Sequence, residues 1–198
     1  MVLLAHLIIY NLQRYWFRAN NTPFSRQLLF EAIEKSGVFP HATLNPTMMQ
    51  ALNLPPFSYR LTQRNGQLCI FDFLRQRYLK LTPEEWVRQH FTHFLVEQKG
   101  YPAALLANEV TINVGGVARR CDSVLYHRTG GVPRVIVEYK APHIRITQAV
   151  FQQIYSYNSV LRADYLIVSN GLEHYCCHVD YEKMQVSYLN DIPRYEDL

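Results

Sequence analysis

The chain has 198 residues, 48% of them hydrophobic and 18% charged, with a formal net charge of +4 at pH 7. That composition excludes a disordered chain and fits one globular domain with room for a sizeable core; the mild basicity is compatible with a polyanionic partner without requiring one. The 4 cysteines lack the repeated C-x2-C spacing of a structural zinc site, and no signal peptide points to an oxidising compartment, so a cytoplasmic address is expected.

Taken in order, residues 2–9 are apolar except for His6, far short of the roughly 20 residues that span a bilayer. They also lack the leading positive charge of an export signal, and no membrane partner is expected. Residues 24–33 are the best helix of this N-terminal part, and 43–46 read as a loop ahead of Met48 and Met49. From 57 to 81 the spacing predicts a small antiparallel hairpin, 59–61 against 68–71, turned by Asn65 and Gly66 in the type I′ conformation that Asn-Gly favours. Thr82, Pro83 and Glu85 then spell a helix start: threonine as N-cap, proline at the first position, and glutamate three residues on to close a capping box. Val87, Phe91, Phe94 and Leu95 form the buried stripe of that helix, and by helical angle Glu84 lies nearer the stripe than Glu85.

Strands are expected at 109–114 and 117–126, around Gly115 and Gly116. A third follows where the β-branched run Val135, Ile136 and Val137 leads into Glu138, Tyr139 and Lys140, before Pro142 stops any ladder. Residues 147–161 predict a crossover helix, with Val150, Ile154, Tyr157 and Leu161 on one face and Gln153 one turn from Tyr157. Residues 165–169 form the next buried strand, and Asn170 with Gly171 turns the chain into 174–179. The expected fold is α/β, a mixed β-sheet with flanking helices in the order βββαβ after an N-terminal helix.

The chemistry concentrates where the 135–140 strand ends. Residues i and i+2 share a strand face, so Glu138 and Lys140 point one way and Tyr139 the other. Alone, the pair reads first as a solvated surface ion pair. Asp122 changes the balance: it lies on the preceding strand, and a turn at Thr129, Gly130 and Gly131 lets a hairpin set its carboxylate beside Glu138. Two converging carboxylates repel unless a cation sits between them, and a hard oxygen site with few protein ligands suits Mg²⁺, with Mn²⁺ as the substitute. Lys140 alongside is placed to orient and help deprotonate a water that attacks a phosphodiester. Other clusters are weaker. His90 with His93, and His174 with Cys176 and His178, share helix or strand faces but lack a fourth zinc ligand at recognisable spacing. No G-x4-G-K-[S/T] run occurs, so no ATP site is expected in this chain.

The spacing Asp122, then Glu138, Tyr139 and Lys140, resembles the D...(D/E)-x-K core of the restriction-endonuclease-like nucleases. From about residue 57 to 180 the chain is similar to the N-terminal nuclease domain of type I restriction enzyme R subunits in a short, stand-alone form. The runs that carry the likeness are TPEEWVRQ at 82–89, residues 119–122, VIVEYKAP at 135–142, the pair Gln153 and Tyr157, and YLIVSNGLEHYCC at 165–177. The sequence departs from the family at Cys121, where a proline is usual, and at Tyr139, where a smaller residue is usual.

The resemblance implies a restriction-endonuclease-like core and a Mg²⁺-dependent nuclease that acts on DNA. Asp122 and Glu138 are its metal ligands, Lys140 its catalytic lysine, and Gln153 with Tyr157 its Q-x3-Y element. The family pattern E-x2-R falls on Glu85 and Arg88, which offers Glu85 as a further metal ligand beside its role as a helix cap. The alternative is a nucleic-acid-binding or interaction module that keeps the fold without turnover.

Because the likeness begins only after Met49, residues 1–48 read as an N-terminal extension or a mis-assigned start, with 49–198 as the nuclease domain; a helical arm docked on the domain is the other reading. The first reading predicts that a chain beginning at Met49 melts within a few degrees of the full chain in a calorimetric scan. A large drop in melting temperature would make the N-terminal part a component of the core.

Overall fold

A computed structural model describes residues 49–198; the expected extension, residues 1–48 with its helix at 24–33, lies outside the described residues. The first elements are β1 (Leu61–Arg64), β2 (Gln67–Asp72) and β3 (Arg77–Lys80), an antiparallel sheet in the order β1-β2-β3. Asn65 and Gly66 take φ of 48° and 73° between β1 and β2, the paired left-handed conformations that a type I′ turn requires. The hairpin is therefore where the sequence puts it, although β1 starts at Leu61 and not at 59. β3 goes beyond the expected hairpin, because RYLK is too short and too charged at its ends to show a strand period.

Helix α1 (Pro83–Glu97) starts as its caps dictate: the Thr82 hydroxyl accepts the Glu85 N–H at 3.0 Å. Val87, Phe91 and Leu95 are fully buried, and they pack with Leu125, Val135, Val137, Tyr139 and Ile167 of the large sheet. Trp86 packs the other way, with Phe57, Ile70 and Leu81 beside the small sheet. Its N-terminal half is thus enclosed from two sides, and Glu85, Arg88, Gln89, His90 and Thr92 are buried along with the apolar stripe. Burying that many polar side chains on one helix is costly unless most of their groups find partners.

The large sheet contains β4 (Leu106–Val114), β5 (Val117–Tyr126), β6 (Pro133–Tyr139), β7 (Tyr165–Ser169), β8 (His174–Asp180) and β9 (Gln185–Leu189), hydrogen-bonded in that order. Every neighbour pair is antiparallel except β6 with β7, which are parallel, and helix α2 (Gln148–Leu161) makes the crossover that a parallel pair needs. Ile136, Leu166 and Val168 face α2 and pack with Val150, Phe151, Ile154 and Tyr157. Cys176 joins the α1-side core and Cys177 the α2-side core, so neighbouring cysteines on β8 point to opposite faces and act as small apolar residues. The βββαβ run after the first helix matches the expected order, and β9 extends the sheet by a strand whose mostly exposed residues gave no burial pattern to read. No helix among the described residues is long and apolar enough to cross a membrane.

One glycine locks these layers together. Gly171 has φ of 82°, and a Cβ there would lie 2.7 Å from Leu52 Cδ2 and 3.0 Å from Val87 Cγ2, while its carbonyl accepts the Asn53 N–H at 2.7 Å. Gly171→Ala therefore meets both a left-handed backbone and an overpacked contact, and the expected loss is about 2 kcal/mol by urea denaturation. Gly66→Ala, with φ of 73° but nothing within 4 Å, should cost less.

Candidate active site

The site begins at a kink. β4 and β5 pair in continuous register from Leu106↔Leu125 to Val114↔Val117, but the pairing skips Glu109 and Asp122. Glu109 has φ of 56°, a left-handed conformation that a residue with a side chain adopts only when its surroundings enforce it. On the near side of the kink, Leu106 and Leu125 pack in the α1-side core. On the far side, Val110, Ile112 and Cys121 pack in the α2-side core, so the ribbon has turned over. Asp122 sits at that turn-over, where its side chain replaces a rung of the ladder: Oδ2 accepts the Tyr139 N–H at 2.8 Å and Oδ1 accepts Arg88 Nη2 at 2.9 Å.

Glu138, near the end of β6, is buried and held on one side only. Its Oε1 accepts both Lys140 Nζ and Gln153 Nε2 at 2.6 Å, whereas Oε2 is buried with no hydrogen-bond partner among the described residues. The Lys140 ammonium also donates to Gln153 Oε1 at 3.2 Å, and Gln153 Nε2 lies 2.8 Å from the Tyr157 hydroxyl. Glu138, Lys140 and Gln153 therefore form a closed triangle with Tyr157 behind it. β6 ends at Tyr139, yet the Lys140 N–H still bonds Ser169 O at 2.9 Å, which keeps Lys140 on the strand path and on the Glu138 face. Burial first, and the Asp122 charge second, push the Glu138 carboxyl up to about 7, with Lys140 pulling back. Burial works against the charged form of Lys140, but its bond to Glu138 outweighs that and lifts its pKa above the ordinary lysine value.

Arg88 links this cluster to α1. Its guanidinium reaches Glu85 at 2.6 Å, Asp122 at 2.9 Å, Glu109 at 3.5 Å and Glu84 at 3.7 Å, and lies 5.6 Å over the Tyr139 ring. Arg75 continues the chain of charges, with Asp72 and Glu109 each at 2.6 Å and Glu85 at 3.4 Å. Burial opposes the charge on Arg88, but Glu85 and Asp122 more than restore it, and its pKa rises.

The two acids at the helix start exchange the places expected of them. Glu85 is the buried one, with a side chain 8% exposed against 44% for Glu84, because its carboxylate turns inward to Arg88, Gln89 and Arg75 and is not found on the Thr82 N–H of a reciprocal capping box. Glu84 is the acid that feels the site: burial and then the Asp122 charge raise its pKa, with Arg88 and Lys140 opposing. The structure thus joins Glu138, Lys140, Gln153 and Tyr157 by hydrogen bonds, and places Asp122 on the neighbouring strand β5, where it is held by Arg88 and the Tyr139 N–H; Arg88 also holds Glu85. Glu109 and Arg75 belong to the same network and carried no sequence signal, because their roles depend on a strand conformation and a turn that no local pattern encodes.

The donor set is oxygen only, with one buried carboxylate oxygen lacking a partner and a second carboxylate close enough to raise its pKa, which fits a hard divalent cation. Among the described residues no three His, Cys, Asp or Glu side chains meet as a complete metal cage. Mg²⁺ does not need one, since it retains several waters and is held by one or two carboxylates. The histidines considered for zinc are used locally: His90 Nδ1 bonds Trp86 O at 3.0 Å, His93 pairs with Glu97 at 2.6 Å, and His174 lies between Ser169 and Asn53 O at 2.8 and 3.0 Å.

A mixed α/β domain with an acid, acid and lysine cluster on two neighbouring strands is the frame in which the comparisons fall. Residues 83–193 match the family described as type I restriction enzyme R protein N terminus, and the chain belongs to that family. Among solved structures, a fragment described as an HsdR subunit of a type I restriction enzyme from Vibrio vulnificus YJ016 is similar, with 22% identity and a TM-score of 0.45 over 58% of this chain and 24% of that one. The chain thus spans about a quarter of that fragment's length. No curated protein matches the chain.

Arg88→Met tests the network directly. It removes a buried cation from among Glu85, Asp122 and Glu109 while keeping much of the side-chain volume, and the expected loss is about 3 kcal/mol in urea denaturation. A loss below about 1 kcal/mol would mean that the carboxylates do not depend on Arg88 for compensation.

Proposed function

We propose that this domain is a divalent-cation-dependent nuclease with a restriction-endonuclease-like core, and that it hydrolyses phosphodiester bonds in DNA. The observation that carries the reading is Glu138, whose buried Oε2 has no partner among the described residues while its Oε1 is clamped by Lys140 and Gln153, with the Asp122 charge close by. Membership of the type I restriction enzyme R protein N-terminus family supports it, since that family name relates the domain to a restriction enzyme. Asp122 and Glu138 would hold the cation, Mg²⁺ or Mn²⁺ in place of Mg²⁺. A cation held by these carboxylates would supply positive charge to offset the charge that develops on a phosphate during hydrolysis.

The residues of the chain divide the remaining work. Lys140 presents a charged donor to the phosphate and to the attacking water, on the face where Glu138 lies. Gln153 holds the ammonium through Oε1 and the carboxylate through Nε2, and so fixes their separation; Tyr157 fixes Gln153. Arg88 holds Asp122 in place through Oδ1. A second reading, a DNA-binding module without turnover, has one observation in its favour: both oxygens of Asp122 are already satisfied by Arg88 and the Tyr139 N–H.

The test is incubation of the full chain with linear, circular and single-stranded DNA across Mg²⁺ and Mn²⁺ concentrations, beside Lys140→Ala. The expected result is metal-dependent cutting that falls at least about a thousandfold in Lys140→Ala with DNA affinity retained, because the ammonium is needed mainly in the transition state. Wild type that stays inert with every metal yet still binds DNA would establish the binding module instead.

A further inference from the structure

Beyond the Glu109 and Asp122 kink, β4 and β5 continue as a two-stranded ribbon to Gly115 and Gly116, whose φ of 58° and 83° close the tip. α2 holds the ribbon from one side through Val110, Ile112, Val114 and Cys121. The rest is open: Thr111, Asn113 and all of 117–120 are exposed, including Val117 at 52%. Residues 110–121 contain Arg119 and Arg120 and no acid.

Neither arginine is used by the fold. The Arg119 side chain has no ion pair or hydrogen bond among the described residues. The Arg120 side chain is 64% exposed, and its contact with Glu109 is 3.8 Å, too long for a hydrogen bond and worth little in solvent. Adjacent strand positions point to opposite faces, so the two guanidinium groups flank the ribbon and cannot both serve one phosphate. Arg120 lies two residues, or roughly 7 Å, from Asp122, and the glycine tip is roughly 20 Å further from the carboxylates than Asp122 itself.

We propose that this ribbon is the duplex-gripping arm of the domain, entering the DNA groove beside the bond at Asp122 and Glu138, with Arg119 and Arg120 each reaching a phosphate on opposite groove walls. The charge complementarity is one-sided along the whole ribbon, and a major groove about 12 Å wide admits a two-stranded β-ribbon. The placement rests on the nuclease reading of Asp122, Glu138 and Lys140; the grip itself does not, because it is an electrostatic contact that needs no turnover.

The test measures binding of a short labelled duplex and of its single strand by fluorescence anisotropy over a salt series, in full-length Lys140→Ala with Mg²⁺, so that cutting does not consume the probe. Adding Arg119→Ala and Arg120→Ala should raise the duplex Kd roughly tenfold and reduce the slope of log Kd against log salt by about 2, with a much smaller change for the single strand. The melting temperature should be unchanged, because both side chains are exposed. Arg119→Glu, on the face away from Glu109, should weaken duplex binding further. An unchanged duplex Kd and slope would overturn the proposal, and so would equal losses on duplex and single strand, or no duplex binding by the parent. If wild type never cuts yet the slope falls as stated, the ribbon stands and the nuclease reading falls; if wild type cuts and the slope holds, the reverse is true.

Discussion

Carboxylates gather where α1 meets the large sheet, and the arrangement exists because cations are buried among them. Glu85, Glu109 and Asp122 close on Arg88, Arg75 adds Asp72 to the same chain of charges, and Glu138 closes on Lys140. Removing such groups from water is costly, and their mutual attraction repays it only where geometry and hydrogen bonds are good. The N-terminal half of α1 can be enclosed between two sheets only because that compensation is complete enough.

This constraint also explains the strain in β4. A left-handed Glu109 is unfavourable in isolation, but it lets one carboxylate meet both Arg75 and Arg88, and it turns the ribbon so that Ile112 and Cys121 reach the α2-side core. The same rotation frees Asp122 from the ladder and lets it cap the Tyr139 N–H, next to Glu138. Position and charge are thus coupled. The kink that stabilises the network is also what brings the second carboxylate to the candidate site.

The triangle of Glu138, Lys140 and Gln153 differs in that the buried atom it leaves without a partner among the described residues is a carboxylate oxygen. An unsatisfied buried carboxylate oxygen is costly. The unsatisfied atom sits at the end of β6, beside the crossover to α2, where the strand pair changes from antiparallel to parallel and helix residues can reach the strand end.

Much of this was legible from sequence. The Asn65 and Gly66 turn, the Thr82 cap, the β-branched run into Glu138, and the period of α2 are local signals, set by backbone conformation and by side chains within a few residues, and each appears in the structure. The sharing of a face by Glu138 and Lys140 also follows from strand period alone. What the sequence misjudged was non-local. Helical angle put Glu84 toward the core, yet Glu85 is buried, because Arg75 and Arg88 lie on its side and a charge goes where its counter-charge is. Capping logic assigned the Glu85 side chain to its own helix start, but Arg88 and Gln89 one turn along, with Arg75 from outside the helix, hold it instead. The turn-over at Glu109 has no local signature, since a lone glutamate in a strand pattern says nothing of a positive φ. Periodicity and capping are properties of neighbouring residues and survive in a string of letters; the pairing of buried charges is a property of space, and only the folded chain decides it.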